Sequence, residues 1–291
     1  MKNIKIRNDK LQVIVSTLGA EIQSITSLKD HFEYIWNDVT GKYWHRHAPI
    51  LFPIIGRLND NTYLYHSEDY QLTQHGFLRD QEFEVTMQDI NFVKLQSSAN
   101  SDTKKNYPFN YRFTVTYQLV DCELEIQYQI ENLDTKTMYY SLGLHPGFNI
   151  ESDLMNYHLA FGPHANEIKK LEVDPAPFLS GISKINPLVN GALPLSYKAL
   201  DGGLIVFDVG DFDSVQLVNN QSNHSVKMNL DDFPYLAVWS PENKKAPFVC
   251  VEPFKGLPDV YGQPGKLQDK LGESSILTGE KSVIKTEFRF C

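Results

Sequence analysis

From Tyr111 to Leu119, apolar Tyr111, Phe113, Val115, Tyr117 and Leu119 alternate with Arg112, Thr114, Thr116 and Gln118. This period of two marks a strand with one buried face. After a break at Asp121-Cys122 the alternation resumes, with Leu124, Ile126, Tyr128 and Ile130 against Glu123, Glu125, Gln127 and Gln129. The two runs predict an antiparallel hairpin, and Asn132-Leu133-Asp134 supplies the next turn. Further strand-like runs are Leu11 to Val15, Glu21 to Thr26, Phe83 to Met87, Phe92 to Gln96, Leu204 to Asp208, Ser214 to Leu217, Ser225 to Asn229 and Val283 to Phe290. Their spacing predicts a meander of many strands.

No long segment repeats apolar residues at three and four positions, and 15 prolines and 17 glycines punctuate the chain, so any helices are short. Neither βαβ alternation nor a glycine-rich phosphate loop is present, which disfavours a doubly wound α/β fold. The expected class is mainly antiparallel β. From Pro175 to Tyr197, Pro, Gly, Ser and Asn occur without strict alternation. This stretch reads as a long loop crossing the sheet, since strand-like runs on both sides argue against a linker between folding units. Length alone, 291 residues, leaves one or two domains open; a single domain over 1–291 is expected.

The 42% of hydrophobic residues suits a globular protein with a sizeable core. A formal net charge of −9, without any Lys/Arg-rich run, argues against nucleic acid as a partner. No stretch approaches the roughly 20 apolar residues of a membrane-spanning helix, and Met1 to Arg7 lacks a secretory pattern. A soluble, cytoplasmic protein is expected. Cys122, Cys250 and Cys291 are too few and too scattered for a disulfide framework or a metal knuckle, and their pattern fits reduced thiols.

Three clusters place a titratable side chain beside glycine or proline where a strand ends: Leu72 to Asp80 around His75-Gly76, Ser141 to Phe148 around His145-Pro146-Gly147, and Phe248 to Phe254 around Glu252-Pro253. Singly, a histidine beside glycine is most often a satisfied turn residue, and Glu-Pro often ends a strand in solvent. The apolar run Phe248-Val249-Cys250-Val251, however, draws the Glu252 carboxylate towards the interior, where it needs a purpose or a partner.

Taken together and in this order, the clusters resemble the aldose 1-epimerase (galactose mutarotase) family. His47-Ala48-Pro49-Ile50-Leu51-Phe52-Pro53-Ile54-Ile55-Gly56-Arg57, followed by Gln74-His75-Gly76-Phe77 and Arg79, resembles its LacX branch. The similarity spans nearly the whole chain, from Gly19-Ala20-Glu21-Ile22-Gln23-Ser24 to Glu252-Pro253. It implies a large antiparallel β-sandwich (a supersandwich) with an open sugar cleft on one sheet face. It also implies Glu252 as general base, His145 as general acid, His75 as a second active-site histidine and Arg57 as a substrate-binding residue. Opening a hemiacetal ring takes a proton from the C1 hydroxyl and delivers one to the ring oxygen, so one acid and one base suffice and no cofactor or metal is required.

Trp239 offers an apolar face to a sugar, or else core packing. Arg57 binds substrate or pairs with Asp60, while Arg79 meets a phosphate or pairs with Asp80 or a neighbouring strand. His45-Arg46-His47 lacks a third metal ligand at a telling spacing. Better-known galactose mutarotases have an aspartate that reads sugar hydroxyls, for which Asp208, Asp211 and Asp213 are candidates. The expected function is anomer exchange on a small-molecule sugar by a monomer or homodimer. The alternatives are a hexose-6-phosphate mutarotase or a non-catalytic carbohydrate-binding sandwich.

Overall fold

A computed structural model describes residues 1–38 and 40–290. The predicted hairpin pairs Tyr111–Val120 with Glu123–Asn132 in antiparallel register, placing Val115 opposite Tyr128 and Tyr117 opposite Ile126. These strands lie within a nine-stranded sheet. Its order is Ala192–Pro194, Tyr157–Gly162, Ser214–Asn219, Val226–Asn229, Lys281–Arg289, Glu123–Asn132, Tyr111–Val120, Phe92–Ser98 and Glu84–Asp89. The last four positions follow the expected meander, as does the pair Ser214–Asn219 and Val226–Asn229, but the strand Lys281–Arg289 returns to pair with Glu123–Asn132 between them.

An eight-stranded antiparallel sheet runs in the order Leu179–Pro187, Glu167–Val173, Ile205–Asp208, Tyr235–Trp239, Phe248–Lys255, Leu142–Leu144 and Ile50–Leu51, with Gly147–Asn149 also on Phe248–Lys255. A three-stranded sheet comprises Asn3–Arg7, Leu11–Ser16 and Ile22–Ser27. The two large sheets share one core: Val115, Tyr117, Leu124 and Ile126 of the first join Leu236, Val238, Val249 and Val251 of the second. The two sheets thus form the large antiparallel β-sandwich that the sequence led one to expect. The two α-helices among the described residues, Thr103–Asn106 and Tyr197–Leu200, are one turn long.

The parity of the strand Phe248–Lys255 positions the site. Because side chains alternate across a strand, Val249 and Val251 enter the inter-sheet core, while Phe248 and Cys250 pack on the opposite face with Trp36 and Ala246. Glu252 shares that outer face, and it is buried because loops cover the sheet there.

Two expectations need correction. The stretch from Pro175 to Tyr197 is not a long loop, since Leu179–Pro187 pairs with Glu167–Val173 at the edge of the eight-stranded sheet. Residues 181–185 of this strand are exposed on both faces, so no burial pattern imposes alternation. The cysteines are also not all reduced thiols: Cys250 is free and buried, whereas Cys122 is disulfide-bonded. Cys291 lies outside the described residues. No described helix is long and apolar enough to cross a membrane.

Candidate active site

Glu252 sits mid-strand with Ala237 as its neighbour on one side. On its other side, Leu142–Leu144 and Gly147–Asn149 both pair with the same strand, and His145-Pro146 forms the break between them. Pro146 has no N–H to continue a ladder. His145 N–H instead donates to Pro49 O (3.1 Å) and Gly147 N–H to His47 O (2.9 Å), which aims the imidazole at the glutamate. His145 Nε2 lies 3.3 Å from Glu252 Oε2.

Both side chains are nearly sealed, at 8% and 2% exposure, and burial disfavours the charged form of each. The Glu252 carboxyl is pushed well above its ordinary range, and the His145 imidazole is pushed down to about 3. The Trp44 ring stacks on His145 (centroids 4.8 Å apart, planes at 28°), while Trp239 and His75 meet it edge-on at 5.8 and 5.5 Å.

His75 is held by a turn in which both it and Gly76 have φ of +69°. Its N–H donates to Gly56 O (2.8 Å) and the Gly56 N–H donates to His75 Nδ1 (3.1 Å). A backbone N–H can only donate, so Nδ1 is unprotonated and the neutral ring carries its hydrogen on Nε2. Neutrality is enforced by burial first, then by His145, Arg79, Arg46 and Arg57, all of which lower the His75 pKa. Gln74 lies between two donors: its Oε1 accepts from Arg57 Nε (3.2 Å), and its amide nitrogen lies 3.2 Å from His75 Nε2. With its oxygen turned to Arg57, Gln74 offers no acceptor to the His75 Nε2–H.

Arg79 Nη2 donates to Gln74 O (2.7 Å), and its Nε, 3.9 Å from Asp80 Oδ2, has no hydrogen-bond partner. Asp80 pairs more closely with Arg46, at 2.6 Å. Arg57 makes no ion pair among the described residues, with Asp60 or any other carboxylate. All six residues singled out in the sequence, Arg57, His75, Arg79, His145, Trp239 and Glu252, line one cavity of about 480 Å³. That volume falls within the roughly 300–1,000 Å³ of small-molecule sites.

Trp44, Gln74 and Glu242 also line the cavity and escape the sequence reading. Gln74 adjoins His75 in the chain and Trp44 immediately precedes His45, but neither is titratable, so no charge argument reaches them. Glu242 accepts from Trp239 Nε1 (3.0 Å). Asp208, Asp211 and Asp213 do not line the cavity; Asp208 pairs with Lys169 (3.0 Å) and Asp213 accepts from Ser214 Oγ (2.7 Å). Glu242 is thus the acidic residue besides Glu252 that lines the cavity among the described residues. His47 is likewise occupied, its Nδ1 lying 2.8 Å from Trp36 O. One trio, His145, Cys250 and Glu252, brings potential metal-ligand atoms within 4.8 Å of one another.

The His145–Glu252 pair thus lies in a cavity on the outer face of an antiparallel sandwich. The family model for aldose 1-epimerase matches residues 2–268, and the chain belongs to that family. It is 31% identical to the chromosomal protein LacX of Lactococcus lactis subsp. lactis, over 96% of this chain and 97% of that protein. Among solved structures it is similar to a galactose mutarotase-like protein from Lactobacillus casei ATCC 334, with a TM-score of 0.95 and 35% identity over the whole of both chains. A galactose mutarotase related enzyme from Lactobacillus acidophilus gives a TM-score of 0.93 at 29% identity, covering 100% of this chain and 97% of the other.

Proposed function

We propose that the protein is a mutarotase that interconverts the α and β anomers of a hexose, with Glu252 and His145 as its proton-transfer pair. The observation that carries this is the 3.3 Å approach of two buried groups of opposite proton preference at the cavity floor. The C1 hydroxyl gives up its proton to one member while the ring oxygen takes a proton from the other. The C1–O5 bond breaks to leave an open aldehyde, rotation about C1–C2 exposes its other face, and the same pair closes the ring.

Glu252 acts as the base and His145 as the acid when the shared proton sits on the imidazole. Burial favours both being neutral, with that proton on Glu252. The exchange of anomers is reversible, and a pair holding one proton is competent in either sense. His75 assists as a neutral Nε2–H donor to a sugar oxygen. Arg57 and Arg79 hold oxygens of the substrate, Trp239 presents an apolar face, and Glu242 accepts from hydroxyls. No cofactor takes part in these steps.

Anomer exchange of glucose, galactose and glucose 6-phosphate, followed by NMR or polarimetry against a buffer blank, tests the reading. Acceleration by the wild type that Glu252→Gln abolishes supports it; no acceleration on any sugar moves the carbohydrate-binding reading ahead. The phosphorylated sugar belongs in the panel because Arg57 forms no ion pair among the described residues and so has charge to offer an anion.

A further inference from the structure

The cavity floor also suits a soft cation. Cys250 precedes Glu252 by two residues on the same face of its strand, and it is fully buried and free. One ligand atom from each of His145, Cys250 and Glu252 lies within 4.8 Å of the other two. Three potential ligand atoms, all buried, therefore converge on one point, an arrangement suited to a cation once thiol and carboxyl give up their protons.

Zinc bonds of about 2.0–2.3 Å in a tetrahedral site separate neighbouring ligand atoms by about 3.3–3.7 Å. The His145–Glu252 separation of 3.3 Å already matches, and the widest pair of the trio needs a closure of only about 1 Å. A thiolate, an imidazole and a carboxylate select zinc over magnesium or calcium, which prefer all-oxygen shells. The fourth position would face the cavity and hold water.

We propose that His145, Cys250 and Glu252 form an inhibitory zinc site that blocks the proton-transfer pair. The regulatory part rests on the proposed mutarotase reading; the binding part does not. On binding, the Cys250 S–H and Glu252 O–H bonds break, their electron pairs form the S–Zn and O–Zn bonds, a lone pair of the neutral His145 imidazole forms the N–Zn bond, and two protons leave to solvent, with no change of oxidation state. Sugar and zinc then compete for one cavity.

Cobalt(II) is the optical probe. Titrating the wild type is expected to produce a thiolate-to-cobalt charge-transfer band and the intense visible bands of four-coordinate cobalt, both removed by added zinc. Cys250→Ser should lose the charge-transfer band, and zinc inhibition relative to its own zinc-free rate should weaken at least tenfold. Should that variant fail to fold, His145→Asn retains the thiol and is expected to bind cobalt at least tenfold more weakly. A wild type without the band at saturating cobalt, a band unchanged in Cys250→Ser, or unchanged affinity in His145→Asn would overturn the site. The band in a protein that exchanges no anomers would sink the mutarotase reading alone, whereas exchange without the band would sink the metal site alone.

Discussion

His145 Nε2 faces Glu252 Oε2 across 3.3 Å at a point that water barely reaches. Burial drives the imidazole down to about 3 and the carboxyl well above its usual range. One proton is therefore shared by the pair over a wide span of pH, and the limbs of a pH profile belong to the pair together. The plot of kcat/KM against pH is expected to be bell-shaped. Activity is lost at low pH when both groups are protonated and no base remains, and at high pH when neither holds a proton. The acid limb should lie near the depressed value and the alkaline limb above the carboxylate range. An acid limb at about 6.5, where an ordinary histidine titrates, would contradict the burial argument.

Glu252→Gln separates catalysis from stability. Removing the acid–base group should cost about 100- to 10,000-fold in turnover. The folded-state pKa of Glu252 is raised above its unfolded value, so the stability linked to the neutral carboxyl is present at low pH and is lost as pH rises through the folded pKa. Glutamine is neutral at every pH. The variant should be about 0.5–2 kcal/mol more stable than wild type at alkaline pH, with the gap closing on acidification. Thermal melts across a pH series measure this, and a destabilised variant at high pH would refute it.

Far from the cavity, His224 joins two segments of the chain. Its Nε2 lies 3.0 Å from Asp30 Oδ2 and its Nδ1 2.9 Å from Glu151 Oε1, with the ring stacked 3.9 Å above Phe32. Although burial opposes it, the two carboxylates raise the His224 pKa. Asp30 is lowered, chiefly by its Ser27 and His224 hydrogen bonds. Glu151 is also lowered: desolvation is the largest influence and opposes the shift, but bonds from Ser222 and His224 outweigh it. The raised histidine stabilises fully below about 6.5 and loses its effect as pH climbs through the folded value, while the carboxylates lose theirs as pH falls through their lowered values. His224→Leu should therefore cost the most between about pH 4.5 and 6.5. The exposure of Asp30 limits the cost to about 0.5–1 kcal/mol. Urea titrations at pH 5.5 and pH 9 check this, and equal losses at both would sink it.

Legibility in the sequence follows how each part is encoded. The hairpin of Tyr111–Val120 and Glu123–Asn132 is legible because each strand buries one face, so composition alternates. The edge strand Leu179–Pro187 is not, because exposure of both faces removes the pattern. Glu252 announces itself as a charge at the end of an apolar run. His75 and His145 stand beside residues that force turns, and the family resemblance links all three. Trp44 and Glu242 reach the cavity only through tertiary packing, and nothing in their neighbours marks them out. The disulfide at Cys122 is equally silent, since spacing along the chain does not report distance in space.

The turn that holds His75 supplies a test of positioning. Gly76 has φ of +69°, and a Cβ there would lie 2.2 Å from Phe52 O. That carbonyl cannot simply retreat, because it accepts from Phe77 N (3.1 Å) and Leu78 N (3.3 Å). Gly76→Ala must therefore move the turn, and with it the neighbouring His75 ring that accepts from Gly56 N. Gly279 provides the control: its φ is +74°, but a Cβ there would meet nothing within 4 Å. Both substitutions carry the conformational cost of alanine at positive φ, about 1 kcal/mol. Only Gly76→Ala adds the clash, for a total loss of about 2–3 kcal/mol, together with a fall in kcat/KM of about 10- to 100-fold as the His75 donor shifts. Denaturant melts and anomer-exchange rates on the two variants decide the matter. Equal activity in both would show that the position of His75 does not limit the reaction.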